Sequence, residues 1–185
     1  MRLQFVVTLT VLVLQSTSAL AQAPGGQGGG HPHGNHAGTA QPYAGAEQRT
    51  IKTLSVQQIA DLDAGRGMGF AMAAELNGYP GPMHVFELAD TLRLSPDVRI
   101  RVQSLVTEMK AEATSLGKRI IAEETALDQL FKNGRATPEQ VNAMTSRIGA
   151  LQGTLRASHL RYHLVTRDLL TPEQIADYNR HRGYR

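Results

Sequence analysis

The stretch NGRATPEQV, residues 133–141, decides the fold. Asn133-Gly134 is a helix-ending pair, because glycine enters the left-handed conformation that closes a last turn without a Cβ penalty. Thr137 then opens a new helix. Its hydroxyl is placed to accept the backbone N–H of Gln140, the Gln140 side chain reaches back to the Thr137 N–H, and Pro138 takes the first helical position, where a missing N–H costs nothing. Upstream, Val98, Val102, Leu105, Met109, Leu116, Ile120, Leu127 and Leu130 recur at three-and-four spacing across 96–131, a helix of roughly 54 Å. Downstream, Val141, Met144, Ile148, Leu151, Leu155, Tyr162, Val165 and Leu169 repeat that spacing. Two long amphipathic helices joined by about five residues are expected to fold back as an antiparallel hairpin.

The phrase at the turn is echoed three times. In LTPEQI, residues 170–175, Thr171 is the cap, Gln174 its reciprocal partner, and Leu170 can staple onto Ile175. LSVQQI, residues 54–59, has the same layout, whereas LSPDVR, residues 94–99, has Val98 where Gln would stand, so Ser95 caps without a return bond. Each phrase predicts a helix start. A first helix is expected over 56–76, ended by Asn77-Gly78 and YPGP, with irregularity at Gly65, Gly67 and Gly69. A short helix follows over 83–92, with Val85, Leu88 and Leu92 on one face. No alternating β-branched run interrupts this pattern, so the fold class is all-α, a long helical hairpin with shorter N-terminal helices and a short C-terminal one.

The N-terminus carries a different message. MRLQFVVTLTVLVLQSTSALAQA joins one arginine to a short apolar run and ends in Ala19-Leu20-Ala21, a small-x-small cleavage pattern. Residues 1–21 are therefore read as a signal peptide, with a retained membrane anchor as the alternative, and the protein is expected in the periplasm. Residues 22–46 are rich in Gly, Pro and His, including His31, His33 and His36, and are expected to form a disordered leader. Residues 47–185 remain as one domain of roughly 135 residues. Its core must be aliphatic, since the chain has no Trp and only 4 Phe. Removing Arg2 with the leader sequence takes Lys plus Arg from 19 to 18 against 16 Asp plus Glu, a net charge of +2 that does not suggest nucleic acid as a partner. Cysteine is absent, which excludes disulfides, thiolate ligands and a cysteine nucleophile.

Any metal must therefore be held by His, Met and carboxylate. His159 and His163, in SHLRYHL, stand four apart on the second long helix and share a face. They read either as a metal pair or as solvated flank histidines, with Arg156 and Arg167 close enough to repel a cation. His84 and Glu87, in PMHVFELAD, offer a second chelating spacing; taken alone they read more simply as a polar helix N-terminal face. Together the four would suit Zn, Ni, Co or Cu(II). Met68, Met72 and Met83 add thioethers that could serve Cu(I) or simply fill core. No nucleophile with a base, and no phosphate-binding glycine loop, is visible, so an enzyme is not expected.

An export signal, a His-rich leader, a long helical hairpin and LTPEQ just beyond its second arm resemble the Spy/CpxP superfamily, in particular its heavy-metal resistor and sensor branch, which includes CnrX- and ZraP-like proteins. Leu170, Thr171 and Gln174 match that family's LTxxQ signature; Leu94-Ser95 matches only in part. The resemblance spans roughly residues 50–184 and implies a periplasmic, often dimeric protein. It implies a metal-responsive role using helix-borne histidines, with an ATP-independent chaperone for unfolded periplasmic proteins, or an adaptor docking on a membrane sensor, as the alternatives.

Overall fold

A computed structural model describes residues 41–184. The signal peptide expected at 1–21, most of the leader and its His31, His33 and His36 lie outside the described residues. After a 3-10 turn at Ala46–Gln48 the described residues form six α-helices: α1 (Val56–Asp63), α2 (Met72–Glu75), α3 (Pro82–Glu87), α4 (Pro96–Lys132), α5 (Pro138–Arg167) and α6 (Pro172–Arg182). Among the described residues there is no strand, and no helix is long and apolar enough to cross a membrane. The fold is all-α, dominated by two long helices.

The cap phrases start helices for the chemical reason they suggest. Ser55, Thr137 and Thr171 each accept the N–H three residues on, at 3.1, 3.3 and 3.2 Å, while the Gln at that position accepts the cap residue's own N–H. Ser95 accepts only from Val98 N–H, at 3.4 Å, with no return bond. Gln174 does more than close its box: its Nε2 donates to the Leu92 carbonyl at 3.0 Å, tying the start of α6 to the turn before α4.

The helix expected over 56–76 is broken into α1 and α2. Gly65 and Gly69 lie at φ 65° and 76°, and Met68 between them at φ 44°, conformations no right-handed helix contains. The short helix also stops earlier than expected, at Glu87, and residues 88–94 turn through Arg93 at φ 52° before α4 begins.

Two apolar clusters hold these elements. In the first, Ile51, Leu54 and Leu62 pack on Ala113, Leu116 and Ile120 of α4 and on Leu151 and Leu155 of α5. In the second, Val85 of α3 and Leu92 pack with Val102 of α4 and with Leu170 and Tyr178. Each fully buried Leu or Ile contributes about 1.5–3 kcal/mol. α1 reaches α4 because Gly117 has no side chain: a Cβ there would overlap the Leu62 carbonyl oxygen and stand 2.7 Å from its carbon. Between α4 and α5, Glu123 pairs with Arg147 at 3.1 Å, and Glu112 accepts from Arg161 at 2.6 Å and from the Tyr162 hydroxyl at 3.2 Å.

Candidate functional site

The break between α1 and α2 opens a cavity of ≈ 710 Å³. Its lining comes from the loop after α1, from α2, from the start of α3, and from single turns of α4 and α5. Six of the residues singled out in the sequence line it together: His84, His159, His163, Met68, Met72 and Met83. Glu87 does not, and a second, smaller cavity of ≈ 320 Å³ beside Met144 holds none of the expected donors.

The three imidazoles are held in different ways. His163 Nδ1 lies 2.7 Å from the Tyr79 carbonyl, which can only accept, so Nδ1 carries the proton and Nε2 keeps its lone pair. That Nε2 edge abuts Gly81, where a Cβ would stand only 2.8 Å from both Cε1 and Nε2. His84 Nδ1 lies 2.9 Å from the Glu87 carboxylate. Glu87 thus acts on His84 from outside the cavity, fixing the ring and leaving Nε2 as the free acceptor. A nitrogen anchored in this way to a carbonyl or carboxylate is the usual support for a ligating histidine. His159 is 3% exposed, and its Nε2 is buried without a hydrogen-bond partner. An orphaned buried polar atom costs about 1–3 kcal/mol, and such atoms are rare enough to call for a reason. Burial, reinforced by the neighbouring His163 and opposed by Glu112, holds the His159 pKa below its ordinary 6.5, so the ring is neutral at neutral pH and able to donate a lone pair.

Sequence reasoning missed Glu75. Its carboxylate lines the cavity and organises the wall: Oε2 accepts from Gly81 N–H at 3.1 Å, Oε1 accepts from the Tyr178 hydroxyl, and Arg182 Nε stands 3.8 Å away. His163 Nδ1 is 3.6 Å from the same carboxylate. Burial, then the carboxylate beside it, pushes the fully buried Tyr178 phenol well above its ordinary pKa, so it remains a donor. Nothing local signals this role, since Glu75 sits in AAELNG without a motif and its phenol partner is 103 residues away.

Two cations, Arg66 and Lys110, also line the cavity; Arg66 is paired with Asp61 at 2.6 Å. Neither Arg156 nor Arg167 is part of the lining, and the Arg167 guanidinium lies over the Tyr79 ring, 4.6 Å from its centre. Met68 occupies the left-handed region between two glycines, a conformation that costs a non-glycine residue about 1–3 kcal/mol and that clusters at functional sites. Among the described residues no three His, Asp or Glu side chains already stand close enough to share one ion. The donors line one cavity without converging on one centre. No protein-family model matches the chain, and neither a curated protein nor a solved structure matches it.

Proposed function

We propose that this chain is an exported, metal-responsive protein of the periplasm that binds a transition-metal ion in the cavity between the α1–α2 break and α5. The observation that carries this reading is the presence of His84, His159 and His163 in the lining of one cavity, two with Nδ1 hydrogen-bonded to an oxygen acceptor, the third buried and unpartnered at Nε2. Zn, Ni, Co and Cu are the candidate ions for such donors. Glu87 serves as the orienting partner of His84.

The response follows from where the donors sit. α4 and α5 are inferred to run as an antiparallel hairpin, which the pairing of Glu123 with Arg147 near the turn and of Glu112 with Arg161 further along supports. His159 and His163 ride on the second arm, whereas His84 and the methionines ride on the short elements packed across it. An ion drawing on both sets would stabilise the closed arrangement by mass action.

Calorimetry and native mass spectrometry with each ion test this, using the full chain with His31, His33 and His36 replaced by Ala so that the leader does not contribute. Stoichiometric binding that is lost in the His159→Ala/His163→Ala variant supports the reading; unchanged affinity in that variant removes it. A second reading, an ATP-independent chaperone, is favoured by exposed Met72, Leu76 and Met83 around the cavity and by exposed Leu164 and Val165 on α5. Suppression of client aggregation by the metal-free chain, equal in the double-histidine variant, would support it. A homodimer and a membrane sensor are the partners proposed alongside these roles.

A further inference from the structure

Resting on the metal-binding reading above, we propose that the cavity selects a soft monovalent ion, Cu(I) or Ag(I), held by the thioethers of Met68, Met72 and Met83 together with the His159 imidazole. Methionine is ordinarily core filler; in this chain Met109 and Met144 are buried, at 8% and 7% exposed, and Met109 shows its buried side chain to the cavity as well. Met68, Met72 and Met83 are different: at 37%, 58% and 37% they are the exposed methionines of the described chain, they come from three separate elements, and all three line the same cavity. Packing does not explain them. Nor does it explain the left-handed backbone that carries Met68 on the cavity wall.

The remaining donors favour softness. Hard divalent chemistry wants carboxylate oxygen, yet Glu75 already accepts from Gly81 N–H and the Tyr178 hydroxyl beside Arg182, and Glu87 is held by His84 outside the lining. What is left is thioether sulfur, which selects Cu(I), and imidazole nitrogen, which serves Cu(I) as well as the divalent ions. Charge points the same way. Arg66 is paired with Asp61 and Glu75 stands near Arg182, which leaves Lys110 as the lining cation with no ion pair among the described residues, and a monovalent ion meets half the repulsion from it that a divalent one does. His159 supplies the independent sign of a ligand, as a nearly fully buried imidazole with an unpartnered nitrogen on this wall.

Silver, which needs no reductant, is the direct probe. In the full chain with the leader histidines replaced by Ala and the methionine methyl groups isotopically labelled, Ag(I) should shift the Met68, Met72 and Met83 methyl resonances and leave Met144, far from the cavity, in place. The shape-conserving Met68→Leu/Met72→Leu/Met83→Leu variant should bind Ag(I), and Cu(I) measured against a chromogenic chelator, about 100-fold more weakly. Its affinity for Zn and Ni should stay within about threefold. Each single Met→Leu variant repeats the measurement should the triple variant fail to fold. Ag(I) binding that leaves the three methyl groups unmoved, or that survives the leucine substitutions, overturns the soft-ion assignment while the histidine reading stands; binding of no ion at all overturns both.

Discussion

Gly117→Ala is the most direct test of how the short helices are anchored. Alanine normally improves a helix interior by about 1 kcal/mol over glycine. At Gly117 the added methyl would overlap the Leu62 carbonyl oxygen and crowd its carbon at 2.7 Å and its Cα at 3.1 Å, all backbone atoms that cannot rotate away. Restoring ordinary contact moves the end of α1 by roughly 1 Å, and forced overpacking of that kind costs about 1–3 kcal/mol. It also lifts Leu62, 4% exposed, from its cluster with Leu116 and Leu151. After the propensity gain is subtracted, the variant should be about 0–2 kcal/mol less stable than the parent chain. Gly153→Ala on α5 is the internal control: nothing lies within 4 Å of its added Cβ, so only the gain of about 1 kcal/mol remains. The two variants should differ by the overpacking cost alone, roughly 1–3 kcal/mol, or about 3–9 °C in melting temperature for a domain of this size. Thermal and urea unfolding followed by far-ultraviolet circular dichroism measures both. A Gly117→Ala protein as stable as Gly153→Ala would refute the close approach of α1 to α4.

Other consequences are as specific. Gln174→Ala removes the return bond to Thr171 and orphans the Leu92 carbonyl, so it should cost about 2 kcal/mol against about 1 kcal/mol for Gln140→Ala, which closes only a local box; paired urea titrations decide. His159 has a folded pKa below 6.5, so the unfolded chain takes up the proton first: its contribution to stability is complete above pH 6.5 and is lost as pH falls through the folded value. A His159→Phe variant should show a flatter melting-temperature profile over that range, and an unchanged slope counts against a neutral buried ring. Gly81→Ala, at φ −84° where the alanine backbone is unstrained, should cost about 1–3 kcal/mol because its Cβ presses on the buried His163 ring at 2.8 Å, and should weaken metal binding about tenfold by displacing that ring, an effect that persists at temperatures where the variant is fully folded; calorimetry reads it. Tyr178→Phe deprives Glu75 of a buried donor and should cost about 1–3 kcal/mol, and it should also shift the His163 ring resonances, which a merely global loss of stability would leave in place.

The parts of this molecule legible from sequence are those set by neighbours in the chain. Ser55, Thr137 and Thr171 announce helix starts because a cap and its partner are three residues apart, and α4 and α5 announce themselves because their apolar stripes need only their own periodicity. The glycines at 65–69 were visible as irregularity, yet whether three weak positions bend a helix or end it depends on what the freed backbone packs against. Here that surface is α4: a Cβ on Gly65 would meet the backbone of Lys110 and Thr114 at 2.9 Å. The histidine spacing on α5 was readable, whereas its meeting with His84 was not, since that depends on how α3 settles across α5. Glu75 was invisible for the same reason.

These long-range contacts also give LTPEQ a physical link to the cavity beyond capping. The box at Thr171 sets the direction in which α6 leaves α5, and Gln174 Nε2 fixes that direction against Leu92. One turn on, the orientation of α6 carries Tyr178 into the second apolar cluster, with its hydroxyl on Glu75. Glu75 in turn holds the Gly81 N–H at the start of α3, and the side-chain-free face of Gly81 is what accommodates the His163 edge. The chain of contacts runs through a buried phenol and a carboxylate 13% exposed, groups costly to leave without partners, so displacing either end strains the other. On the proposed metal-binding reading, closure of the cavity around an ion would therefore be felt at the α5–α6 junction, and LTPEQ is where that displacement would reach the C-terminal helix.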